Sequence, residues 1–236
     1  MQILLWNIHR GRELEGSAER LCRAVGEVGI PDILVLVEAD TDFPLLQRVF
    51  DETVIAARLR LHNILPDQAR STPCSSGFFG LSIFARATDQ LRKVSVHDLP
   101  CAGEPRGFVL AQMSCREHDV WLGVTHLSLG RSVRSRQVRR IASLTVEADP
   151  IILAGDFNEW KKVGSLSDLT RQGFVQLSPV AGFPAGLPFL ALDRFLLRGI
   201  AGGRVELPPV SERWGDLSDH RPVMSWFDID RIETAP

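Results

Sequence analysis

Two short polar motifs combine residue types that perform acid and base chemistry. Gly155-Asp156-Phe157-Asn158 supplies a carboxylate and a neutral amide, and Ser218-Asp219-His220-Arg221-Pro222 places a carboxylate next to an imidazole. Each motif borders an apolar run, so its polar side chains are expected at the mouth of a sheet. A neighbouring carboxylate can fix the tautomer of an imidazole and raise its basicity. Together the motifs indicate the acid/base and metal-binding end of a hydrolase.

Further polar residues end other apolar runs in the same way. Any one of them alone is more often a cap or a turn former than a catalytic group. Their joint composition suits a hard divalent cation beside an acid/base pair, because Mg²⁺ prefers carboxylates, amide oxygens and waters, whereas zinc prefers cysteines and clustered histidines. The set comprises Asn7, Glu38, His126, Asp156, Asn158, Asp193, Asp219 and His220. This chemistry points to the cleavage of phosphate esters.

The composition limits the remaining classes of function. The 236 residues carry a net charge of −2, so no global positive field favours non-specific nucleic-acid binding. The first residues do not match a signal peptide, and no run of about 18 apolar residues could span a membrane. The four cysteines are widely spaced and never form C-x-x-C, which favours reduced thiols. We therefore expect a cytoplasmic monomer without a transmembrane segment.

The apolar runs predict the elements that position these residues. Residues 3–6, 17–28 and 33–37 form a strand, helix and strand unit with parallel pairing, and Ser17 can cap the helix. A second helix is predicted at 133–146, before a strand at 151–154. Further predictions are a short helix at 42–50, a long loop at 61–76, strands at 78–84, 93–99, 108–114, 120–125, 192–197 and 222–227, and a helix at 165–172. No linker separates the halves, so we predict one domain over 1–236 with a core of about 2–228 and a short C-terminal tail.

Six motifs resemble, in order, those of the endonuclease/exonuclease/phosphatase superfamily. They are Trp6-Asn7-Ile8-His9, Val37-Glu38, Thr125-His126-Leu127, Gly155-Asp156-Phe157-Asn158, Leu192-Asp193-Arg194 and Ser218-Asp219-His220-Arg221-Pro222. Three further segments resemble a small bacterial branch of YbhP-type and sphingomyelinase-like proteins: Asn7-Ile8-His9-Arg10-Gly11, Glu104-Pro105-Arg106-Gly107, and Phe183-Pro184 before Leu192-Asp193-Arg194. The resemblance implies the deoxyribonuclease-I-like fold, an α/β four-layer sandwich of two packed mixed β-sheets with helices outside.

The resemblance also implies a metal-binding set. Glu38 would be the main ligand, with Asn7 and Asp219 at the same site or at a second one. The ion would be Mg²⁺ or Mn²⁺. Without the resemblance, the alternatives are a salt bridge between Glu38 and an arginine, and a turn-forming side chain at Asn7.

The same resemblance implies a catalytic set. Asp156 would orient or deprotonate the attacking water, and Asn158 would hold that water or the scissile phosphate. His220, paired with Asp193, would donate a hydrogen bond or proton to the phosphoryl oxygen as negative charge builds up. His126 would be a second contact to the phosphate or the leaving group.

Two positively charged features have open interpretations. Arg106 follows a turn, where it is either a solvated arginine or a bidentate clamp for substrate phosphate, and His9 is a further candidate for phosphate contact. An arginine series lies on the predicted helix at 133–146 and just before it. The plain interpretation is a solvent-facing helix surface, and the alternative is a patch for phosphate backbones or anionic headgroups. The series comprises Arg131, Arg134, Arg136, Arg139 and Arg140.

We therefore predict a metal-dependent phosphodiesterase or phosphatase-type hydrolase. The chain is slightly acidic, lacks tyrosine and has 7% aromatic residues, which favours a phospholipid-like or small phosphodiester substrate over nucleic acid. The first alternative is a Mg²⁺-dependent endonuclease or exonuclease on DNA or RNA. The second is a non-catalytic scaffold that retains the fold, against which the intact set of polar residues argues.

Overall fold

Two β-sheets pack face to face in the computed structural model, which describes residues 1–86, 91–115, 118–209 and 213–229. The described strands are β1 (Gln2–Asn7), β2 (Ile33–Val37), β3 (His62–Asn63), β4 (Ser82–Ala85), β5 (Leu91–Leu99), β6 (Arg106–Cys115), β7 (His118–His126), β8 (Ile151–Asp156), β9 (Val175–Gln176), β10 (Asp193–Arg198), β11 (Gly203–Glu206) and β12 (Val223–Phe227). The described α-helices are α1 (Ala18–Val28), α2 (Glu52–Leu59), α3 (Arg131–Leu144) and α4 (Ser167–Arg171).

Each sheet is built around a central parallel pair of strands. The first sheet has the order β11-β12-β1-β2-β4-β3, and the second has the order β5-β6-β7-β8-β10-β9. β1 runs parallel to β2 and β7 runs parallel to β8, whereas the flanking strands β12, β4, β6 and β10 pair antiparallel to them. A parallel pair needs a crossover connection, and α1 and α3 provide the two crossovers. The carboxyl ends of each central pair therefore lie at one edge of its sheet.

Three apolar layers hold the sheets and helices together. Leu5 of the first sheet and Val124 of the second belong to the layer between the sheets. Leu4 faces the opposite way, toward α1 and α2, and Leu153 packs toward α3 and α4. Successive side chains of a strand point to opposite faces, so each central strand serves two layers. The structure thus confirms the predicted four-layer α/β sandwich of two mixed sheets with helices outside.

The predicted helix at 42–50 is wrong. Pro44 lacks a backbone donor, and the segment folds back on itself instead, with Thr41 N donating to Gln47 O at 2.8 Å. The helix begins only after Asp51, whose side chain caps the first turn of α2. Helix formation in this region therefore follows the capping residue rather than the apolar spacing.

Helix α3 buries two polar side chains, and one of them belongs to the arginine series whose plain interpretation was a solvent-facing surface. Arg134 is 2% exposed and Gln137 is fully buried. Arg134 precedes Val138 and Ile141 by four and seven residues, so it shares their inward face. The solvent-facing interpretation is therefore wrong for Arg134. Arg131, Arg136, Arg139 and Arg140 are exposed, as both interpretations of the series require.

The ends of the other elements differ by a few residues from the prediction. Ser17 caps α1 by accepting from Arg20 N at 3.3 Å, as expected. The strand predicted at 78–84 begins only at Ser82, because a turn with mutual hydrogen bonds between Phe78 and Leu81 precedes it. Residues 230–236 of the predicted tail lie outside the described residues. Among the described helices, none combines the length and apolarity needed to cross a membrane.

Candidate active site

The carboxyl ends of β1 and β2 place two of the predicted residues together. Asn7 ends β1 and pairs in register with Val37, the last residue of β2, which Glu38 follows. Asn7 Nδ2 donates to Glu38 Oε1 at 3.2 Å, and Asn7 Oδ1 accepts from His9 N at 3.1 Å. Glu38 has a φ of +57°, a left-handed conformation that is uncommon for residues other than glycine and concentrates at functional sites.

The second sheet contributes three residues in direct register. His126 ends β7, Asp156 ends β8 and Asp193 begins β10, and Asp156 pairs with each of the other two. Gly155 makes this register possible, because a Cβ there would lie 1.9 Å from Thr125 O. Three polar side chains thus meet at one sheet edge because of strand pairing alone.

A segment before β12 joins the two sheet edges. Ser218 Oγ donates to Asn7 O at 2.7 Å, and Trp6 Nε1 donates to His220 O at 3.0 Å. Asn7 Nδ2 also donates to Asp156 Oδ2 at 3.2 Å, across the two sheets. These contacts hold Asp219 and His220 over the ends of both central strand pairs.

His220 forms a buried ion pair with Asp193, the partner that the resemblance assigned to it. Nδ1 of the imidazole lies 2.7 Å from Asp193 Oδ2, and the Phe183 ring packs on the imidazole with centroids 4.7 Å apart. Burial favours the neutral ring. The carboxylates of Asp193, Asp156 and Asp219 outweigh burial and raise the pKa of His220 to about 10. The imidazole is therefore a cation with Nε2–H free to face the pocket.

Asp156 lies at the centre of the cluster. Oδ1 accepts from Asn158 N at 2.8 Å, and Oδ2 lies 3.8 Å from His220 Nε2. Burial, followed by repulsion from Asp193, raises the pKa of Asp156 from its ordinary value to about 6. A carboxyl with a pKa near the working pH is suited to exchange a proton with water.

The pKa of His126 shifts in the opposite direction to that of His220. Arg106 Nη1 lies 3.2 Å from its Nδ1, and Asn158 Nδ2 lies 3.2 Å from its Nε2. Burial and the neighbouring cations Arg106, His220 and Arg10 hold its pKa well below the ordinary value. The two histidines thus differ in the direction of their pKa shifts, although both face Asp156.

Arg106 enters the site rather than solvent. Its side chain is only 14% exposed, and Nη2 lies 3.0 Å from Glu104 Oε2. Glu104 also accepts from Arg10 Nη2 at 2.6 Å, and Arg10 Nε lies 3.6 Å from Glu38 Oε2. One carboxylate therefore bridges two arginines at the edge of the pocket, which the turn sequence alone did not reveal.

Asn158 reaches the pocket in a left-handed conformation. Its φ is +48°, and Nδ2 donates to Leu127 O at 2.8 Å. The amide nitrogen is therefore engaged within the protein, close to His126 and Asp156. Asn158 therefore lines the pocket and also holds His126 and Asp156 in position.

A pocket of about 270 Å³ opens between these residues. Asn7 and Asp193 do not line the pocket, but they contact residues that do: Asn7 contacts Glu38 and Asp156, and Asp193 contacts His220. His9 lies to one side, held by Glu13 at 2.8 Å and 3.9 Å from Asp219. The pocket is lined by Glu38, Arg106, His126, Leu129, Asp156, Asn158, Trp160, Phe183, Leu190, Leu192, Asp219 and His220. All predicted site residues thus meet at one place except His9, which borders it.

The donors at this place suit a hard cation. One donor atom each from Asp156, Asp193 and His220 lies within 4.8 Å of the other two. His220 Nδ1 lies 2.7 Å from Asp193 Oδ2, however, so these two groups already engage each other. The carboxylates of Glu38, Asp156 and Asp219 are the better oxygen donors. A half-turn of the Asn7 amide would present its oxygen to the same place.

Several pocket residues were not predicted. Phe183, Leu129 and Trp160 line the pocket, and Arg10 supports Glu38. Phe183, Leu129 and Arg10 lie in or next to motifs already noted, and Trp160 follows Asn158 by two positions. Proximity to a motif was therefore the available signal for all four.

The match to proteins of known sequence is partial. No protein-family model matches the chain. The uncharacterized protein YbhP of Escherichia coli K12 is 28% identical over 107 residues, a match that covers 42% of each chain. The chain therefore matches less than half the length of this curated relative.

Solved structures match nearly the whole chain. An endonuclease/exonuclease/phosphatase family protein from Bacteroides thetaiotaomicron has a TM-score of 0.69 at 15% identity, covering 97% of this chain and 98% of that one. Sphingomyelinase C from Streptomyces griseocarneus has a TM-score of 0.62 at 18% identity, covering 95% and 98%. TDP2 of D. rerio, complexed with a single-strand DNA product, has a TM-score of 0.64 at 15% identity, covering 97% and 98%. The chain thus has the fold of the endonuclease/exonuclease/phosphatase proteins, as the sequence motifs predicted.

Proposed function

We propose that this chain is a divalent-metal-dependent phosphoesterase that hydrolyses a phosphodiester. The observation that carries the proposal is the arrangement around Asp156. A carboxyl with a raised pKa faces an imidazolium that Asp193 holds at 2.7 Å, within one pocket. Pairs of titratable groups whose surroundings push their pKa values apart are typical of acid/base catalysis.

The protein residues would divide the reaction between them. Asp156 accepts the proton of a water that attacks phosphorus in line with the leaving oxygen. His220 donates a hydrogen bond or its proton through Nε2 to a phosphoryl oxygen as negative charge grows there, and Asp193 keeps the ring charged and oriented. Arg106 and His126 contact the phosphate from the opposite side of Asp156.

Glu38, Asp219 and Asn7 would hold the cation, which we propose to be Mg²⁺ or Mn²⁺. Its chemistry is the neutralisation of charge on the phosphoryl and leaving oxygens. The fit rests on oxygen donors and on the excess of carboxylates over cationic side chains around the pocket. In the orientation seen, Asn7 Nδ2 donates to both Glu38 and Asp156, and the half-turn that would present its oxygen to the cation would release both contacts.

Among substrates, we favour a phospholipid-like or small phosphodiester. Apolar side chains of Leu129, Leu190 and Leu192 line the pocket beside the polar residues, which suits a phosphate attached to an apolar group. A nuclease is the second candidate, favoured by the exposed Trp160 at the rim, where a base could stack.

The test is a hydrolysis screen of phosphomonoesters, phosphodiesters, sphingomyelin-like lipids, DNA and RNA with Mg²⁺ or Mn²⁺. We expect diester hydrolysis that EDTA abolishes and that Asp156→Asn and His220→Ala reduce at least about a hundredfold. Asp67→Asn is the matched control, because Asp67 is 97% exposed. If wild type and both variants were equally inactive on every substrate, only the scaffold interpretation would remain. Activity that survives EDTA would contradict the proposed metal dependence.

A further inference from the structure

Three exposed apolar side chains lie in the two loops that border the catalytic pocket. Leu129 is 70% exposed, Trp160 is 57% exposed and Val163 is 44% exposed, and we name these three residues the apolar ridge. Leu129 and Trp160 both line the pocket. Scattered apolar residues on a surface need no explanation, but neighbouring ones beside a pocket mark an interaction surface.

A buried ion pair holds the two loops that carry the apolar ridge. Arg134 donates to Leu129 O at 2.6 Å and to Glu159 Oε2 at 3.3 Å, and its guanidinium carbon lies 5.8 Å from the centroid of the Trp160 ring. Glu159 in turn accepts from Ser165 N at 2.7 Å, which closes the loop that contains Trp160 and Val163. The apolar side chains are thus presented to solvent by a rigid support.

The apolar ridge has a positively charged border. Arg131, Lys161 and Lys162 are exposed and lie within two positions of a ridge residue in sequence, and we name them the basic flank. Across residues 128–133 and 159–164 the single carboxylate is Glu159, which is 2% exposed and paired with Arg134. The exposed charges of these two segments are therefore all positive, although the whole chain carries a net charge of −2.

We propose that the apolar ridge and the basic flank dock the protein on an anionic phospholipid surface. Apolar side chains can enter the boundary between headgroups and acyl chains while cationic side chains contact anionic headgroups. Two of the three ridge residues are aliphatic and have no ring on which a base could stack, which favours lipid over single-stranded nucleic acid. The loop that contributes Phe183 and Leu190 to the pocket also carries the exposed Leu187 and Phe189.

Binding to vesicles tests this surface without relying on hydrolysis. The full chain is sedimented, in EDTA, with phosphatidylcholine vesicles that contain or lack phosphatidylserine. Wild type is expected to bind the anionic vesicles. Trp160→Ser and Leu129→Ser should each weaken binding about tenfold, because each removes an apolar group that would leave water. Replacing Lys161 or Lys162 by Gln should cost about fivefold each and should reduce the preference for phosphatidylserine.

Val175→Ser is the matched control. Val175 is 67% exposed on the edge strand β9, and its partner Leu197 lies toward the end of β10 opposite to Asp193, so it should not affect binding. Failure of wild type to bind anionic vesicles, or equal loss in Val175→Ser, would overturn the proposal. Binding to a single-stranded oligonucleotide but not to vesicles, with loss in Trp160→Ser, would also overturn it and would assign the surface to nucleic acid. All variants change exposed side chains, and circular dichroism checks that each is folded.

Discussion

Two buried carboxylates three residues apart shift their pKa values in opposite directions. Asp156 has a pKa raised to about 6, because burial and Asp193 both oppose its charge. Burial also opposes the charge of Glu159. Hydrogen bonds from Ser165 and Lys161 and the charge of Arg134 outweigh burial, however, and lower the pKa of Glu159 to about 2. Both side chains are 2% exposed, but Asp156 is more deeply enclosed by protein, so the depth of burial and the hydrogen-bonding partners together set the direction of each pKa shift.

The regions around these two carboxylates differ in how charge is balanced. Behind the pocket, Arg134 pairs with the Glu159 carboxylate, and the charge of Arg194 lies near it while Arg194 donates to carbonyl oxygens such as Ala191 O at 2.9 Å. In the pocket, carboxylates outnumber cations, and Asp193 Oδ1 has no hydrogen-bond partner among the described residues. A buried charge with all its partners contributes to structure, whereas a buried charge that lacks compensating partners is a candidate for ligand binding or catalysis.

The largest expected effect is on activity at Asp156. Asp156→Asn keeps the shape of the side chain but removes the proton acceptor, so we expect the turnover rate to fall about a thousandfold. Because the variant also removes a buried and repelled charge, its melting temperature in EDTA should be equal to or above that of wild type. Steady-state kinetics and thermal unfolding measure both. A fall of several degrees in melting temperature would place Asp156 with the structural charges.

The next effect is on stability at Arg134. Arg134→Met leaves Glu159 without its guanidinium partner and removes donors to Ser128 and Leu129. We expect a loss of about 3 kcal/mol in the free energy of unfolding, measured by urea denaturation, since breaking a buried pair leaves an uncompensated charge. Arg139→Met is the control on the same helix, because Arg139 is 73% exposed and should change stability little. Equal losses of stability in Arg134→Met and Arg139→Met would contradict the structural role assigned to the buried pair of Arg134 and Glu159.

The residues of the candidate site were predictable from sequence because most of them lie at strand ends. Apolar runs fix where β2 and β8 end, and the polar residue that follows each run is then placed by strand register, as for Glu38 and Asp156. The pairing of Asp193 with His220 needed the resemblance, because adjacency in sequence favoured Asp219. Geometry brings Asp193 to 2.7 Å through the pairing of β10 with β8.

The structural region was not predicted, although a signal for it exists. Arg134 was taken as one of several surface arginines, but its spacing to Val138 and Ile141 places it on the inward face. Its partner Glu159 lies 25 residues away in a loop without periodicity. Spacing on one helix can indicate that an arginine is buried, but only the fold can indicate what neutralises it.

The pH dependence of stability separates the two regions further. The ordinary pKa of Glu159 is 4.5 and its folded value is about 2, so its ionised form stabilises the folded state. This contribution, about 3 kcal/mol, is complete above pH 4.5 and is lost as the pH falls toward 2. We expect Glu159→Gln to be destabilised at neutral pH and to approach wild type near pH 2. Urea denaturation across this range measures the difference, and a gap that stays constant with pH would contradict the assigned partners.

The smallest expected effect concerns Arg106, the pocket counterpart of Arg134. Arg106 contacts Glu104 through Nη2 and His126 through Nη1. A lysine at this position would keep the positive charge, but its single nitrogen could not make both contacts at once. We expect Arg106→Lys to raise KM about tenfold and to leave kcat within a few-fold of wild type. The reason is that the guanidinium of the wild-type Arg106 would bind phosphate equally in the ground state and the transition state. Unfolding stability should change by less than for Arg134→Met, since Arg106 borders an open pocket rather than a closed network. If Arg106→Lys were destabilised as strongly as Arg134→Met and its KM were unchanged, Arg106 would belong to the structural charges. Arg106 and Glu104 would then have to be grouped with Arg134 and Glu159 rather than with the pocket.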